Sequence, residues 1–431
     1  MKKLIFFILS VISSILFTSC SLFNYLISYY DYKELETGFC MASYNEEIAI
    51  GSGCTDNPAG MITILKRIED NWKVTQIIDM KDVAYKKRGP MNFAINDKFL
   101  VTGLDNITGK SGLVLVFIKN GDNWEKAYTI KSPMKEKDDL FGYSLAIYED
   151  KLLVGTEAGK NGGKAYLFNL RNYEYELIKV FYPPEKELNR KFGRLVLMNS
   201  DYIIISDPHI YHEFNNKNGV NGTVYIYDKK NYTLLDVINN INVTEKSHYS
   251  WLGTNGIIDD NNLLLTIRGE KQAKLFIIHN KMLSNKEKQI TIDLDYDPIG
   301  SISYWSSNCV SLEKNILVVE NKIFCIEGGQ CIKTNEIPDC YVDGVHLEDN
   351  LLLLFTGEHD NQEKRIEQKQ KRNESMKYGG VYPEVDTPIN LGRVHIMRIA
   401  PDGSYTEEAI IARRTNAEGK VEFYDMLHDD K

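Results

Sequence analysis

The chain has 431 residues, with 51 basic and 60 acidic side chains and a formal net charge of −9. Hydrophobic residues make up 43% and charged residues 26%, which is a globular composition and excludes a generally disordered chain. The acidic balance argues against a nucleic-acid partner, because binding to phosphates needs an excess of basic side chains. Only the extreme N-terminus approaches the apolarity of a membrane span, which excludes a polytopic membrane protein.

The N-terminus has the pattern of an export signal. Two lysines precede an apolar run from Leu4 to Phe17, and the small residues Thr18 and Ser19 lead to Cys20. This segment resembles the lipobox of bacterial lipoproteins, whose cysteine is acylated and becomes the mature N-terminus. The resemblance implies a signal peptide over 1–19, a lipidated Cys20 and a tether over 20–36. An ordinary cleaved signal or an uncleaved anchor remains open.

The residue after Cys20 bears on the membrane that would hold the anchor. Aspartate at that position usually retains lipoproteins in the inner membrane of enteric bacteria, and this chain has Ser21. The resemblance therefore favours anchoring in the outer membrane over the inner membrane. Acyl chains would make this attachment stable, since each buried methylene contributes about 0.8 kcal/mol.

The other cysteines are compatible with an exported protein. Six remain after Cys20, and an even number permits disulfides in an oxidising compartment. Cys40 and Cys54 flank one predicted hairpin. Cys325 and Cys331 flank a predicted three-residue turn that would place them opposite each other, which leaves Cys309 with Cys340. Buried free thiols are the alternative.

The body of the chain is a repeat of about 50 residues. Seven short apolar runs each follow a polar turn, lack helical periodicity, and are typical of fully buried strands. They are IAIGSG (48–53), FLVTGL (99–104), LLVGTE (152–157), YIIISDP (202–208), LLLTIRG (263–269), ILVVEN (316–321) and LLLLFTG (351–357). A polar Gly-rich loop, a second apolar strand, a tight turn and a further strand follow each run.

Five of these later turns are followed by an aromatic residue, which can pack against a neighbouring strand. The five are Trp72, Trp124, Tyr173, Tyr232 and Tyr405. Four strands in each of seven units predict an all-β, seven-bladed β-propeller, because stacked blades bury faces that one blade alone would expose. We expect blades near 37–90, 91–140, 141–191, 192–250, 251–299, 300–342 and 343–414. The tail 415–431 either adds a strand or closes the ring.

A further motif lies just before the buried runs of the third and fourth units. Phe141-Gly142 and Phe192-Gly193 precede them, and Trp251-Leu252-Gly253 occupies the equivalent place in the fifth. With the VGTE and ISDP segments, these resemble FG-GAP repeats, the blade type of integrin α-chain propellers and of many bacterial surface proteins. Many FG-GAP blades carry a calcium loop between their first two strands. The connections here are tight turns with too few oxygen ligands, so the resemblance does not extend to calcium.

Candidate binding residues follow the buried strands. In FG-GAP propellers, the second-to-third-strand loops share a face with the inter-blade connections, and that face usually binds partners. Acidic residues recur there at Asp105, Glu157, Asp207 and Glu358. If the buried strands line the channel, these acids would form an electronegative mouth. Alternatively, they are solvated residues that begin turns.

Two loops hold the remaining candidates. His209, His212 and Glu213 follow Pro208, and a metal site is less favoured there because the context predicts a loop and the spacing is not HExxH. His359 and Asp360 open a long insertion, 358–391, which we expect to contact a partner.

These features predict a monomeric, lipid-anchored propeller of the bacterial cell envelope that binds a protein or glycan without catalysis. No nucleophile elbow, phosphate loop or dinucleotide fingerprint occurs, and we expect neither a cofactor nor a metal. The alternatives are a glycan-cleaving propeller enzyme with carboxylates at the central funnel, and an envelope assembly scaffold.

Overall fold

In the computed structural model, the regular secondary structure of the described residues consists of β-strands, apart from Met80, which is helical. These residues are 37–52, 60–80, 92–104, 111–134, 139–156, 162–184, 191–208, 222–239, 251–260, 262–268, 272–279, 282–283, 290–293, 310–319, 321–327, 330–337, 344–348, 350–356, 393–415 and 421–425. In this part of the chain, no helix is long and apolar enough to cross a bilayer.

The strands form seven separate antiparallel sheets, each built from consecutive segments of the chain. The first sheet contains β1 (Thr37–Tyr44), β2 (Glu47–Ser52), β3 (Met61–Ile68) and β4 (Asn71–Asp79). The second contains β5 (Phe93–Ile95), β6 (Phe99–Leu104), β7 (Leu113–Asn120) and β8 (Asn123–Lys131). The third contains β9 (Ser144–Tyr148), β10 (Lys151–Gly155), β11 (Ala165–Leu170) and β12 (Tyr175–Phe181).

The remaining sheets follow the same order, and two have additions. The fourth contains β13 (Val196–Met198), β14 (Tyr202–Asp207), β15 (Thr223–Asp228) and β16 (Leu234–Asn239). The fifth contains β17 (Trp251–Ile258), β18 (Asn262–Arg268), β19 (Gln272–His279), β20 (Met282–Leu283) and β21 (Ile290–Asp293). The sixth contains β22 (Val310–Glu313), β23 (Ile316–Val319), β24 (Lys322–Glu327) and β25 (Gln330–Glu336). The seventh contains β26 (Gly344–Glu348), β27 (Leu351–Thr356), β28 (Arg393–Ile399), β29 (Tyr405–Thr415) and β30 (Val421–Asp425).

The sheets are arranged as blades around a closed ring. The first strand of each blade lies next to the first strands of both neighbouring blades, in the order β1, β5, β9, β13, β17, β22, β26 and back to β1. These first strands therefore surround the axis, and the later strands extend outward. The predicted seven-bladed propeller is confirmed. It is the first strands that line the axis, whereas the acid-mouth hypothesis supposed that the buried second strands do.

The hydrophobic core lies between blades. Seven clusters of buried side chains each draw on two consecutive blades. The cluster between the seventh and first blades, for example, joins Ile48 and Leu65 to Leu353 and Ile396, all essentially buried. Because the second and third strands are covered on both faces, their sequences are continuous apolar runs rather than alternating ones.

The register between the third and fourth strands shifts by one residue in six of the seven blades. The shifts fall after Ile64, Val116, Leu167, Ile226, Ile323 and Ile396. In each case a β-bulge bends the outermost part of the blade. In the fifth blade, the described outer strand is divided between β20 and β21 instead.

Aromatic residues after the turns pack across blade boundaries. The indole Nε1 of Trp124 donates to Glu47 Oε1 of the preceding blade at 2.6 Å, and Lys119 forms an ion pair with the same carboxylate. In the third blade the residue at this boundary is Tyr175, whose ring centroid lies 5.3 Å from that of Tyr128. Tyr173, the aromatic singled out from the sequence, is 73% exposed. The turn in this blade begins at Arg171 and is longer, so the packing residue comes two positions later.

A polar network joins the two ends of the ring. Glu408 on β29 accepts hydrogen bonds from Trp72 Nε1 at 3.0 Å and from Arg398 Nε at 3.1 Å, and Arg67 lies 3.5 Å away. Glu46 accepts from both Arg67 and Arg398. Partial burial raises the pKa of Glu408, but the bonds from Arg398 and Trp72 and the charge of Arg67 outweigh it and hold the pKa below its ordinary value.

The C-terminal segment adds a fifth strand to the seventh blade. β30 pairs with the end of β29, from Ile411 opposite Asp425 to Thr415 opposite Val421. The Asp425 carboxylate also accepts the backbone N–H of Ile410 at 3.1 Å. Within the described residues, the ring closes by packing of the first blade on the seventh, and the two blades exchange no strand.

Candidate binding face of the propeller

The two faces of the ring differ in construction. On one face, here called the turn face, short turns join the first strand to the second and the third to the fourth. Its turns bind one another across blades: Asn96 Nδ2 donates to Glu149 O at 2.8 Å, Asn199 Nδ2 to Asp259 O at 2.7 Å, and Asn262 Nδ2 to Lys314 O at 3.1 Å. These contacts make the turn face a fixed rim.

The opposite face, here called the loop face, holds the second-to-third-strand and inter-blade connections. The second-to-third-strand connections vary in length from two residues (320–321) in the sixth blade to 36 (357–392) in the seventh. The fourth blade has the next longest, 208–222. Such variation on a fixed scaffold is typical of binding surfaces.

Phe-Gly segments lead into the first strands on the loop face. Phe141 and Phe192 are completely buried, and the glycine after each has a positive φ. Gly193 N donates to Ser206 O at 2.8 Å, and a Cβ on Gly193 would lie 2.2 Å from Lys164 O. The segment therefore locks the fourth blade against the third through backbone contacts that only glycine permits. Gly142 makes the equivalent contact with the second blade. A Cβ added to Gly103 of that blade would lie 2.0 Å from the carbonyl oxygen of Gly142.

The residues after these glycines meet beside the axis. The guanidinium of Arg194 lies over the ring of Tyr143, 5.3 Å from its centroid, so the third and fourth blades share a cation–aromatic pair. The first strand of the fifth blade is adjacent, because Leu195 Cδ2 would lie 3.2 Å from a Cβ on Gly256. Asn255, which precedes Gly256, is only 5% exposed, and its carboxamide makes no hydrogen bond to any other described residue.

Further polar groups lie beneath this pair. Thr156 Oγ1 accepts the backbone N–H of Lys164 at 2.7 Å, and both residues are buried. Asp207, at the end of β14, is completely buried, and its Oδ1 accepts the backbone N–H of Lys191 at 2.9 Å. Neither sequence-based interpretation of Asp207, as part of an exposed acidic mouth or as a solvated turn residue, fits a carboxylate inside the blade junction.

The remaining loop candidates lie outside the described residues. They are Asp105, Glu157, His209, His212, Glu213, Glu358, His359 and Asp360, and Cys20 lies outside them as well. Within the described ranges, no group of three or more His, Cys, Asp or Glu side chains is placed to hold a metal ion.

The structure describes some of the cysteines for which disulfides were predicted. Cys40 and Cys325 are in the thiol form, and Cys54, Cys309 and Cys340 lie outside the described residues. The expectation that Cys325 and Cys331 stand opposite each other is wrong, because Glu327 pairs with Gln330 and the register therefore places Cys325 opposite Ile332 and Cys331 opposite Ile326. The Cys325 thiol instead lies 3.7 Å from the carbonyl oxygen of Pro401 in the seventh blade. Burial raises the pKa of the Cys40 thiol well above its ordinary value, which keeps it protonated.

A serine–histidine pair lies where the first and seventh blades meet at the axis. His346 Nε2 accepts the backbone N–H of Ser43 at 3.0 Å and lies 3.1 Å from Ser43 Oγ. The carboxylate of Glu348 approaches the same nitrogen, at 3.4 Å, rather than Nδ1, where a carboxylate would orient the ring for catalysis. With Ser43 only 2% exposed, the pair links the two ends of the ring rather than activating a nucleophile.

The enzyme alternative requires several carboxylates that converge near the axis. In the described first strands, the only carboxylates are Glu313 and Glu348, and both end their strands at the turn face. The remaining positions of these strands are apolar or uncharged, apart from His346. The described axis therefore does not supply the acid pair that this alternative needs.

No family model matches the chain, and no curated protein matches it. Solved propeller structures resemble it at low identity. A periplasmic gluconolactonase from Pseudomonas aeruginosa is 12% identical, with 90% of this chain and 98% of that chain covered and a TM-score of 0.44. A putative 6-phosphogluconolactonase from Bacteroides uniformis is 11% identical, with 77% and 95% covered and a TM-score of 0.43. The β-propeller domain of the Trilobed protease from Pyrococcus furiosus is 14% identical, with 87% and 98% covered and a TM-score of 0.43.

Proposed function

We propose that the protein is a non-catalytic binding propeller of the FG-GAP type, held in the bacterial cell envelope by a lipid on Cys20, which presents its loop face to a protein or glycan partner. The observation that carries this proposal is the contrast between the two faces. The turn face is bound together by short, mutually hydrogen-bonded turns. The loop face carries connections of widely different length on the same rigid ring.

The Phe-Gly segments support the FG-GAP assignment. Their glycines hold left-handed backbone conformations and allow the backbones of adjacent blades to touch. They also fix the start of the first strands on the loop face, so the loops rise from positions that the core determines. A rigid base lowers the entropic cost of presenting a binding surface.

The anchor is tested by the state of the mature N-terminus. We expect mass spectrometry of the protein from membranes to find an acylated Cys20 as the first residue, and a Cys20→Ala variant to lack the acyl group and to retain its leader. An intact leader on the purified protein, or wild-type protein released from membranes by a carbonate wash, would refute lipid anchoring.

The binding face is tested by replacing residues 358–391 with a short Gly-Ser linker. We expect cross-linking in intact cells to lose captured partners with this variant. A Tyr173→Ser variant on the turn face, where Tyr173 is 73% exposed, is the control and should retain them. An unchanged set of partners with the linker variant would remove the insertion from the binding face.

A further inference from the structure

The chain enters the ring at the loop face. β1 runs antiparallel to β2, with Thr37 opposite Ser52 and Tyr44 opposite Glu47. Since the turn between Tyr44 and Glu47 belongs to the turn face, the Thr37 end of β1 lies at the loop face. β1 is also a first strand, next to β5 and β26, so this end lies beside the axis. The segment that leads back to Cys20 therefore starts near the centre of the loop face.

The length of this segment limits which face can approach a bilayer that holds Cys20. Cys20 precedes Thr37 by 17 residues, and a random coil of that length spans about 25 Å. To bring the turn face to the bilayer, the segment would cross about 15 Å from the first strand to the fourth and then about 20 Å along the blade. The loop face can therefore meet the bilayer with a relaxed segment, whereas the turn face requires a strongly stretched one.

The turns nearest the axis on the turn face are acidic. In sequence, these first-to-second-strand turns hold eight acidic residues and two lysines: Glu46, Asp97, Lys98, Glu149, Asp150, Asp201, Asp259, Asp260, Lys314 and Asp349. Both lysines lie beside carboxylates, with Lys98 Nζ at 3.1 Å from Asp150 and Lys314 Nζ at 3.3 Å from Glu313. An anionic bilayer repels such a surface at short range.

The acids of successive blades act together. Burial raises the pKa of Tyr148, and the charges of Glu149, Asp260 and Asp201 raise it further. These three acids belong to the third, fifth and fourth blades, so the acidic turns form one continuous electronegative area.

The loop face lacks this charge in the inter-blade connections that the structure describes. The only acid in the described part of these connections is Asp139, which is 2% exposed and accepts Ser132 Oγ at 2.5 Å. Two cationic residues, Lys191 and Arg194, lie in the same connections. The charge distribution and the entry point of the chain therefore favour the same orientation on a membrane.

We propose that the propeller holds its loop face towards the membrane that carries Cys20, and that its partner is a protein embedded in that same membrane. This inference rests on the proposed function and specifies the kind of partner. Attachment of both molecules to one membrane raises their effective concentration, so a weak contact is enough. A surface of lipid or glycolipid headgroups is uniform, whereas connections of two to 36 residues make an irregular face, which suits a folded protein.

The orientation is tested by energy transfer from a donor dye at either end of β12. Tyr182 follows β12 at the loop face and is 50% exposed, and Tyr173 precedes it at the turn face and is 73% exposed. Tyr182→p-azidophenylalanine and Tyr173→p-azidophenylalanine each provide one site for the dye. The acylated full-length protein is inserted into vesicles of phosphatidylethanolamine and phosphatidylglycerol that carry an acceptor dye on their headgroups. We expect transfer about twice as efficient from position 182, because the two positions lie about 25 Å apart along the blade. Equal transfer, or more from position 173, would overturn the orientation.

A charge-reversed variant tests the contribution of the acidic turns. The variant combines Glu149→Lys, Asp201→Lys and Asp260→Lys, and circular dichroism verifies that it is folded. We expect the ratio of the two transfer efficiencies to fall in the phosphatidylglycerol vesicles and to match that of wild type in vesicles of phosphatidylcholine alone. An unchanged ratio in phosphatidylglycerol would refute the electrostatic argument.

The partner is tested by photo-cross-linking in cells with p-benzoylphenylalanine at the same two positions. We expect adducts with an integral membrane protein from position 182 and none from position 173. Adducts from position 182 with a soluble protein, with lipid alone, or with nothing would refute this kind of partner. An acylated protein that fails the transfer test refutes the orientation and leaves the anchor standing, whereas a Cys20 without lipid refutes the anchor itself.

Discussion

Single glycines decide how closely two blades can approach. Gly193 meets two constraints at once, since its φ is +92° and a Cβ would lie 2.2 Å from the carbonyl oxygen of Lys164. Gly121, in the turn before β8, has a φ of +58° but nothing within 4 Å of a Cβ. The pair of positions therefore separates the effect of backbone conformation from the effect of close packing.

We expect Gly193→Ala to lower the stability of the propeller much more than Gly121→Ala. A left-handed alanine costs about 1–2 kcal/mol at either position, and the forced movement of the third blade adds about 1–3 kcal/mol at Gly193 alone. Thermal unfolding followed by circular dichroism measures both. Equal melting temperatures for the two variants would show that the blades can separate at this contact without a loss of stability.

The carboxylate of Glu408 gives the ring closure a pH dependence. Because its pKa is lower in the folded protein than its ordinary value of 4.5, its charged form stabilises the fold. This contribution is complete above pH 4.5 and is lost as the pH falls through the lower folded-state pKa. When Glu408 is protonated, Trp72 Nε1 and Arg398 Nε no longer donate to a charged carboxylate.

We expect Glu408→Gln to destabilise the protein by about 2 kcal/mol at pH 7, since bonds to a charged group are replaced by neutral ones. The difference in melting temperature between wild type and variant should shrink below pH 4.5. Glu174→Gln is a suitable control, because Glu174 forms only an exposed ion pair with Arg171. A difference that stays constant from pH 7 to pH 3 would contradict the assignment.

At the scale of strands, the local sequence pattern was enough to predict the strands of each blade but not the contacts between blades. The seven buried runs predicted the second strands because full burial leaves a continuous apolar run of the right length. The pairing of Glu408 with Trp72 joins residues 336 positions apart, and no local pattern reports such a contact. The contact forms only because ring closure brings the first and seventh blades together.

The binding candidates illustrate the same limit. Asp207 was identified from its position after a buried run, but its exposure depends on contacts from outside its own strand, and in the structure it is completely buried. Tyr143 and Arg194 were not identified as a pair, although each directly follows a recognised Phe-Gly segment, because only the assembled ring brings the two side chains together across the blade boundary.

The added strand β30 should stabilise the seventh blade. It pairs with β29 over Ile411 to Thr415, beyond the β-bulge, and Asp425 is 6% exposed. We expect truncation after residue 416 to lower the melting temperature and to direct the first cleavages of limited proteolysis to β29. Truncation after residue 426 keeps the strand and should behave as wild type. If the shorter chain resisted proteolysis equally, β30 would be dispensable for the blade.

At the scale of the whole molecule, the first and last blades exchange no strand within the described residues, so each described blade is built from one continuous stretch of the chain. We expect a circular permutant that opens at 135–138, between the second and third blades, and joins the original ends through a flexible linker to fold. A permutant opened at 171–174, inside the third blade, should be less stable because it separates β11 from β12. Melting curves compare the two, and equal stability would show that blade integrity does not govern folding.

The bulges between the third and fourth strands affect how neighbouring copies of the molecule can contact one another. A straight outermost strand is a template on which a second molecule can add its own strand, and repetition of that event produces fibres. Six of the seven blades bend at this place. Two copies of the molecule that meet at these edges therefore face bulged strands, which opposes the addition of a strand from one copy to the other.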